Sequence, residues 1–252
     1  MLDSFLPQEI FGVLLVMTRF APLVMVMPVL GEQSIPRRVR VSFSFLLSIV
    51  IYSAVRDQLV ALPPTVFELL TLIVREFMVG LIIGLMARVL MASTHVAGTV
   101  IAFQTGLASA QQFDPNQGGQ SAIVASFMTV TAITLIVVTD LHHLMIMGLV
   151  NSYNRFPVDD VIQFADFAGV AIYYVVEAFE LGIRLSAPFL IYALVYNLGL
   201  GLIARLMPQF QVFFVGMPAN VYMGFLLLML LIGSIMTLFL ERVQEYLLQF
   251  LG

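Results

Sequence analysis

The stretch Gln104-Thr105-Gly106-Leu107-Ala108-Ser109-Ala110-Gln111-Gln112-Phe113-Asp114-Pro115-Asn116-Gln117-Gly118-Gly119-Gln120-Ser121 interrupts an otherwise greasy chain. Gly, Pro, Asn, Asp and Gln crowd together here, while the flanks are almost wholly apolar. Backbone without regular hydrogen bonds is costly in hydrocarbon. At membrane depth it persists only where it is buried in protein or lines a watery cavity. With flanks that reach the membrane, the stretch is expected to face a pore or a protein partner.

The rest of the composition supports such flanks. Of 252 residues, 61% are hydrophobic and 10% charged, with a mean hydropathy of +1.03. A soluble domain is about half apolar and about a quarter charged, so an integral membrane-type protein is expected. The net charge is -4 and all 11 basic residues are Arg. No basic stripe exists to displace counterions from phosphates, which excludes nucleic acid as a partner. The chain has no Cys, which excludes disulfides and thiolate sites. Met1-Leu2-Asp3-Ser4-Phe5 is acidic, and the apolar run after it continues to Leu30 without a small-residue cleavage site. A retained first helix is expected rather than a removable signal.

Apolar helical runs are expected over Ile10–Leu30, Val41–Val55, Val66–Ser93, Ala122–Thr139, Ala168–Ala204 and Val221–Leu240. Between Pro64 and Pro115 there is no proline. One helix there would be about 75 Å long at about 1.5 Å per residue, against a hydrocarbon layer about 30 Å thick. It must tilt, break near Gly98 or project out of the membrane. Met207-Pro208-Gln209-Phe210-Gln211-Val212-Phe213-Phe214-Val215-Gly216-Met217-Pro218 forms a second special loop, apolar yet bounded by two prolines. It reads as an extended or re-entrant piece. Asn154 to Asp160, with Pro157, reads as a solvated turn. Arg37, Arg38 and Arg40 crowd the link after the first run, which by the positive-inside rule lies in the cytoplasm.

Arg19, Arg75, Glu76, Arg88, Glu177, Glu180 and Arg184 all sit in apolar surroundings. At the centre of a lipid-facing helix each would cost about 3 kcal/mol, so buried pairing between packed helices is expected for Arg19, Glu177, Glu180 and Arg184. Glu180 and Arg184 stand four apart in the favoured order for a helical pair, with Glu177 on the same face. The competing reading makes them an ion path in a self-contained secondary transporter.

Enzyme signatures are scarce: no His-Glu-x-x-His, nucleophile elbow or P-loop occurs. His142 and His143 are adjacent, so they are expected on different sides of a helix, unable to chelate one metal. Asp114 precedes Pro115, where its side chain is expected to cap a turn. No catalytic residue, cofactor or metal site is expected. The chain has 15 Met, whose flexible side chains adapt to changing shapes. Met207 and Met217, beside the second special loop, are the candidates for a role beyond packing.

Three blocks carry a resemblance that spans nearly the whole chain. They are Arg19-Phe20-Ala21-Pro22 through Pro36-Arg37-Arg38-Val39-Arg40, Gly98 through Gly119, and Asn197-Leu198-Gly199-Leu200-Gly201 through Phe213. In order and spacing they resemble the FliR/SpaR/YscT-like family of type III secretion export gates. The resemblance implies an all-α fold of long tilted helical hairpins within a helical assembly, much of it raised out of the lipid plane. It implies a single domain over residues 1–252, with a FliP-like part at 1–160 and a FliQ-like part at 161–252. It implies FliP and FliQ as partners at the channel entrance, FlhB and FlhA nearby, and unfolded flagellar subunits as cargo. The setting implied is the flagellar basal body in the bacterial inner membrane. Carried onto this chain, the family's channel plug falls on Gly106, Leu107, Gln111, Gln112, Phe113, Asp114, Pro115, Asn116, Gln117, Gly118 and Gly119.

Overall fold

The computed structural model describes residues 2–32, 34–107, 123–159, 164–209 and 211–251. Among these residues there are seven α-helices and no strand. They are α1 (Leu2–Val26), α2 (Arg37–Val55), α3 (Val66–Gln104), α4 (Ile123–Val138), α5 (Leu141–Arg155), α6 (Phe164–Leu206) and α7 (Val212–Leu251). Five of these are long and apolar enough to cross a membrane: α1, α2, α3, α6 and α7. With 39 residues α3 is about 58 Å long at about 1.5 Å per residue, and the 43-residue α6 is about 64 Å. Both exceed a bilayer core of about 30 Å.

Two compact units interleave along the chain. The first comprises Met1–Leu90, Ile136–Val175 and Val243–Gly252; the second comprises Met91–Leu135 and Val176–Arg242. Every boundary between them falls inside a helix, namely α3, α4, α6 or α7.

In the first unit α1 supplies much of the core, with Leu15, Val16, Phe20 and Leu23 almost wholly buried, as is Met27 just after it. Val79 of α3 and Leu149 and Tyr153 of α5 are buried in the same unit. Glycines set the approach of α3 to α1. A Cβ on Gly80 would overlap the Arg19 carbonyl oxygen, and one on Gly84 would lie 3.2 Å from the Leu23 Cα. Small residues spaced four apart let helix backbones close in, the packing device of lipid-embedded helices.

The second unit is built similarly. Gly98 of α3 lies against Ala125 of α4, where a Cβ would come 2.8 Å from the Ala125 nitrogen. One turn away the Thr94 and Thr129 hydroxyls stand 3.4 Å apart. These two contacts make α3 and α4 an antiparallel pair around the polar stretch. Gly182 of α6 fits against Val96 and the Ser93 carbonyl of α3.

Hydroxyl groups are handled within each helix. Thr18, Thr71, Thr99, Thr129, Thr131, Thr134 and Thr237 all donate to the carbonyl four residues back, at 2.8–3.0 Å. Ser44 and Ser48 do the same at 2.8 and 2.6 Å. A hydroxyl bonded in this way needs no partner elsewhere.

Three expectations need correction. First, of the three alternatives for the proline-free region the break is excluded: α3 runs unbroken to Gln104, and Gly98 is a crossing point with α4. Second, the segment from Met207 to Pro218 is mostly helical. The turn holds Pro208 and Gln209, and α7 starts at Val212 with Pro218 inside it. Proline removes a single backbone donor, whereas unwinding the segment would leave several unpaired groups in an apolar setting. A tyrosine hydroxyl braces the altered turn: Tyr196 donates to the Gly216 carbonyl at 2.5 Å. Third, α5 is a separate helix that the apolar pattern did not mark. Its His, Asn and Ser residues dilute the apolar run, and the chain enters it through Asp140 in the left-handed region at φ 57°. That conformation, open to Asp and Asn, bends the path by 73° between α4 and α5. After α5 the chain turns at Pro157 and Val158, but the turn is shorter than expected and not wholly solvated: Val158 is buried, and the carbonyls of both residues accept hydrogen bonds from Arg75.

Candidate functional site

Of the residues assigned to the plug, Gln111, Gln112, Phe113, Asp114, Pro115, Asn116, Gln117, Gly118 and Gly119 lie outside the described residues. Gly106 and Leu107 are described, and so is the helix end from which the loop departs.

That end is closely held. The Thr105 side chain is buried, and its hydroxyl donates to the Ile101 carbonyl at 2.8 Å. Its methyl group fills a notch on α7, where a Cβ on Gly224 would overlap it. Gly106 follows with φ 75°, the left-handed conformation that commonly terminates helices and favours glycine. The last carbonyls of a helix lack intrahelical partners. Here the side-chain amide of Asn220, on α7, donates to the Gln104 carbonyl at 3.2 Å. Tyr192, on α6, donates to the Asn220 side-chain oxygen at 2.8 Å. Asn220 was not singled out from the sequence. The available signal was an Asn in an apolar helix, a residue that needs a partner in such surroundings.

The charged residues form separate arrangements. Arg19 is wholly buried and makes a two-pronged ion pair with Glu76, which is also wholly buried, at 2.6 and 2.8 Å. Its guanidinium also donates to the Ser152 hydroxyl at 3.2 Å and the Phe156 carbonyl at 3.0 Å. It stacks 3.8 Å above the centre of the Tyr153 ring. Three helices of the first unit, α1, α3 and α5, therefore meet on one cation. Glu177 pairs with Arg242 at 2.8 Å, and Glu180 pairs with Arg184 one turn along α6. The Glu180 and Arg184 side chains are 50% and 63% exposed on this chain, so of the four residues expected in buried pairs Arg19 alone is buried, together with its partner Glu76. The arrangement pairs Glu177 with another helix rather than with the Glu180–Arg184 face.

Met207, Pro208 and Gln209 are exposed at the link between α6 and α7, and Met217 is 57% exposed on α7. Phe213 stands in the first turn of α7, while Phe210 lies outside the described residues.

His142 and His143 come closer than their adjacency implied. Their ring centroids are 4.1 Å apart, and with Asp140 their ligand atoms lie within 4.8 Å of one another. The rings stack at a tilt of 36°, and His143 faces the Asp140 carboxylate at 3.4 Å. Asp140 stands at the N-cap of α5 without a side-chain capping hydrogen bond, and the three side chains lie close enough together to hold a metal ion, contrary to the expectation from adjacency.

The family described as Bacterial export proteins, family 1, matches residues 10–246. Over 239 residues the chain is 38% identical to the flagellar biosynthetic protein FliR of Caulobacter vibrioides, covering 95% of each chain. It is 29% identical over 232 residues to the FliR of Bacillus subtilis, covering 88% of this chain and 86% of that one. It is also 26% identical over 233 residues to the Yop proteins translocation protein T of Yersinia pestis, covering 91% and 89%. With a match that reaches all seven helices described above, the chain belongs to the bacterial export proteins, family 1.

Proposed function

We propose that this chain is a core subunit of a flagellar type III protein export gate in the bacterial inner membrane. It builds the channel entrance together with FliP and FliQ, beside FlhB and FlhA, and passes unfolded flagellar subunits without chemistry of its own. The stretch from Gly106 to Gly119 is its plug. The observation that carries this reading is the likeness to flagellar FliR over 95% of both chains. The flagellar assignment rests on this match, since the 26% identity to the translocation protein T lies within the range of the more distant FliR relatives. The geometry agrees with the plug assignment. A polar, glycine-rich stretch joins two packed apolar helices, α3 and α4, and such backbone requires a protein or aqueous setting. The overlong helices suit tilted hairpins partly raised out of the lipid, with a FliP-like part over 1–160 and a FliQ-like part over 161–252.

The test is deletion of Gln111 to Gly118 in the assembled complex. Ion leakage through reconstituted vesicles should rise by an order of magnitude or more, with the complex still assembled. Unchanged leakage together with unchanged export would remove the plug assignment. Co-purification tests the partner reading, because a gate subunit depends on FliP and FliQ for a stable assembly, whereas a self-contained transporter does not.

A further inference from the structure

We infer that Asn220 is a positioning residue for the plug: it locks the end of α3, so that the loop begins from a fixed root tied to α6 and α7. This deepens the function proposed above and rests on the plug reading for its consequence, though not for its geometry.

Four observations within the second unit converge on one helix end. The Asn220 amide donates to the Gln104 carbonyl at 3.2 Å, a group that helix geometry leaves without an intrahelical partner. The Tyr192 hydroxyl donates to the Asn220 side-chain oxygen at 2.8 Å, which fixes the amide with its nitrogen toward Gln104. Thr105 is wholly buried, with its methyl group in the notch at Gly224, one turn along α7 from Asn220. Gly106 turns the chain at φ 75°, and a Cβ there would sit 3.3 Å from the Asn220 amide nitrogen. Asparagine meets the requirement because it is short, uncharged and both donor and acceptor. Asp at this position offers no donor to Gln104. Leu fills the space and bonds to neither neighbour.

The lock sits beside Pro218, which deprives α7 of a backbone donor two residues earlier. Tyr196 braces this turn from α6, and Tyr192 holds the Asn220 side chain beside it. A shift of the α6–α7 pair at this point is therefore felt at Gln104 through one side chain. In the gate, that gives the helix pair control over where the plug starts.

The experiment uses the full complex and two readouts. Hydrogen–deuterium exchange follows the amides of Thr105 and Gly106, and vesicle leakage follows closure, for wild type, Asn220→Leu, Tyr192→Phe and the 111–118 deletion. Asn220→Leu should speed exchange at these amides by about five- to tenfold, the factor that one hydrogen bond is worth. Its leakage should fall between wild type and the deletion. Tyr192→Phe keeps Asn220 but frees its orientation, and should shift both readouts in the same direction by less; it also serves if Asn220→Leu does not assemble. Unchanged exchange in both variants overturns the lock, whatever the leakage. Faster exchange with wild-type leakage, in a complex that leaks when the loop is deleted, overturns the control of the plug. A deletion that does not leak removes the plug reading, and the exchange data still decide whether Asn220 holds the helix end.

Discussion

Arg19→Ala is expected to destabilise the protein by about 3–5 kcal/mol, the usual cost of leaving one member of a buried ion pair behind. The substitution strands Glu76, which is wholly buried and whose two carboxylate oxygens both bond to Arg19. It also removes the donors to Ser152 and Phe156 and the cation beneath Tyr153. The loss should appear as a large fall in the thermal midpoint of the purified protein in detergent. Arg19→Met combined with Glu76→Met should recover most of it, because apolar replacement of a whole buried pair is often neutral or stabilising. A double-mutant cycle gives the coupling directly. If Arg19→Ala alone proves neutral, the network contributes nothing to stability and the buried pair has another purpose.

Gly80→Ala is expected to be almost as harmful for a different reason. The added Cβ would overlap the Arg19 carbonyl oxygen, a backbone atom that no rotamer change can move aside, and the Pro22 ring lies 3.1 Å away. Helices α1 and α3 would have to separate, at an overpacking cost of about 3 kcal/mol or more. Gly148→Ala is the matched control, since a Cβ there meets nothing within 4 Å. Alanine outranks glycine in helices by about 1 kcal/mol, so Gly148→Ala should be neutral or stabilising. Thermal midpoints of the two variants, measured side by side, check the pair. Equal effects would mean that the α1–α3 crossing is looser than its geometry indicates.

The legible parts of this sequence were those set by long-range averages. Long runs of apolar residues announced long helices, and the polar cluster after Gln104 marked the residue at which α3 stops. Arg19 could be identified as a buried charge, but its partner Glu76 stands 57 residues away and only packing joins them. Local rules failed where an apolar environment outweighed them. Pro218 reads as a helix boundary, yet α7 continues through it with the Tyr196 hydroxyl from α6 supporting the altered turn. α5 escaped notice because its His, Asn and Ser residues weaken the apolar pattern that identified the other helices. Asn220 carried no motif at all, and Thr105 was read only as part of the polar stretch. Their role comes from a notch at Gly224 and a carbonyl at Gln104, neither of which a linear reading can bring together.

The back-bonded hydroxyls of α1 to α4 and α7 bear on how such a chain reaches its final state. A Thr or Ser bonded to its own helix presents little more than a methyl or methylene group to the outside. A helix furnished in this way can enter lipid alone, without waiting for a neighbour to satisfy it. Arg19 and Asn220 differ, because their partners arrive only when other helices dock. The sequence thus divides its polar groups into those settled at insertion and those settled at packing. The second kind make early, misplaced pairings costly, so they favour the correct neighbour while several apolar helices compete for contact.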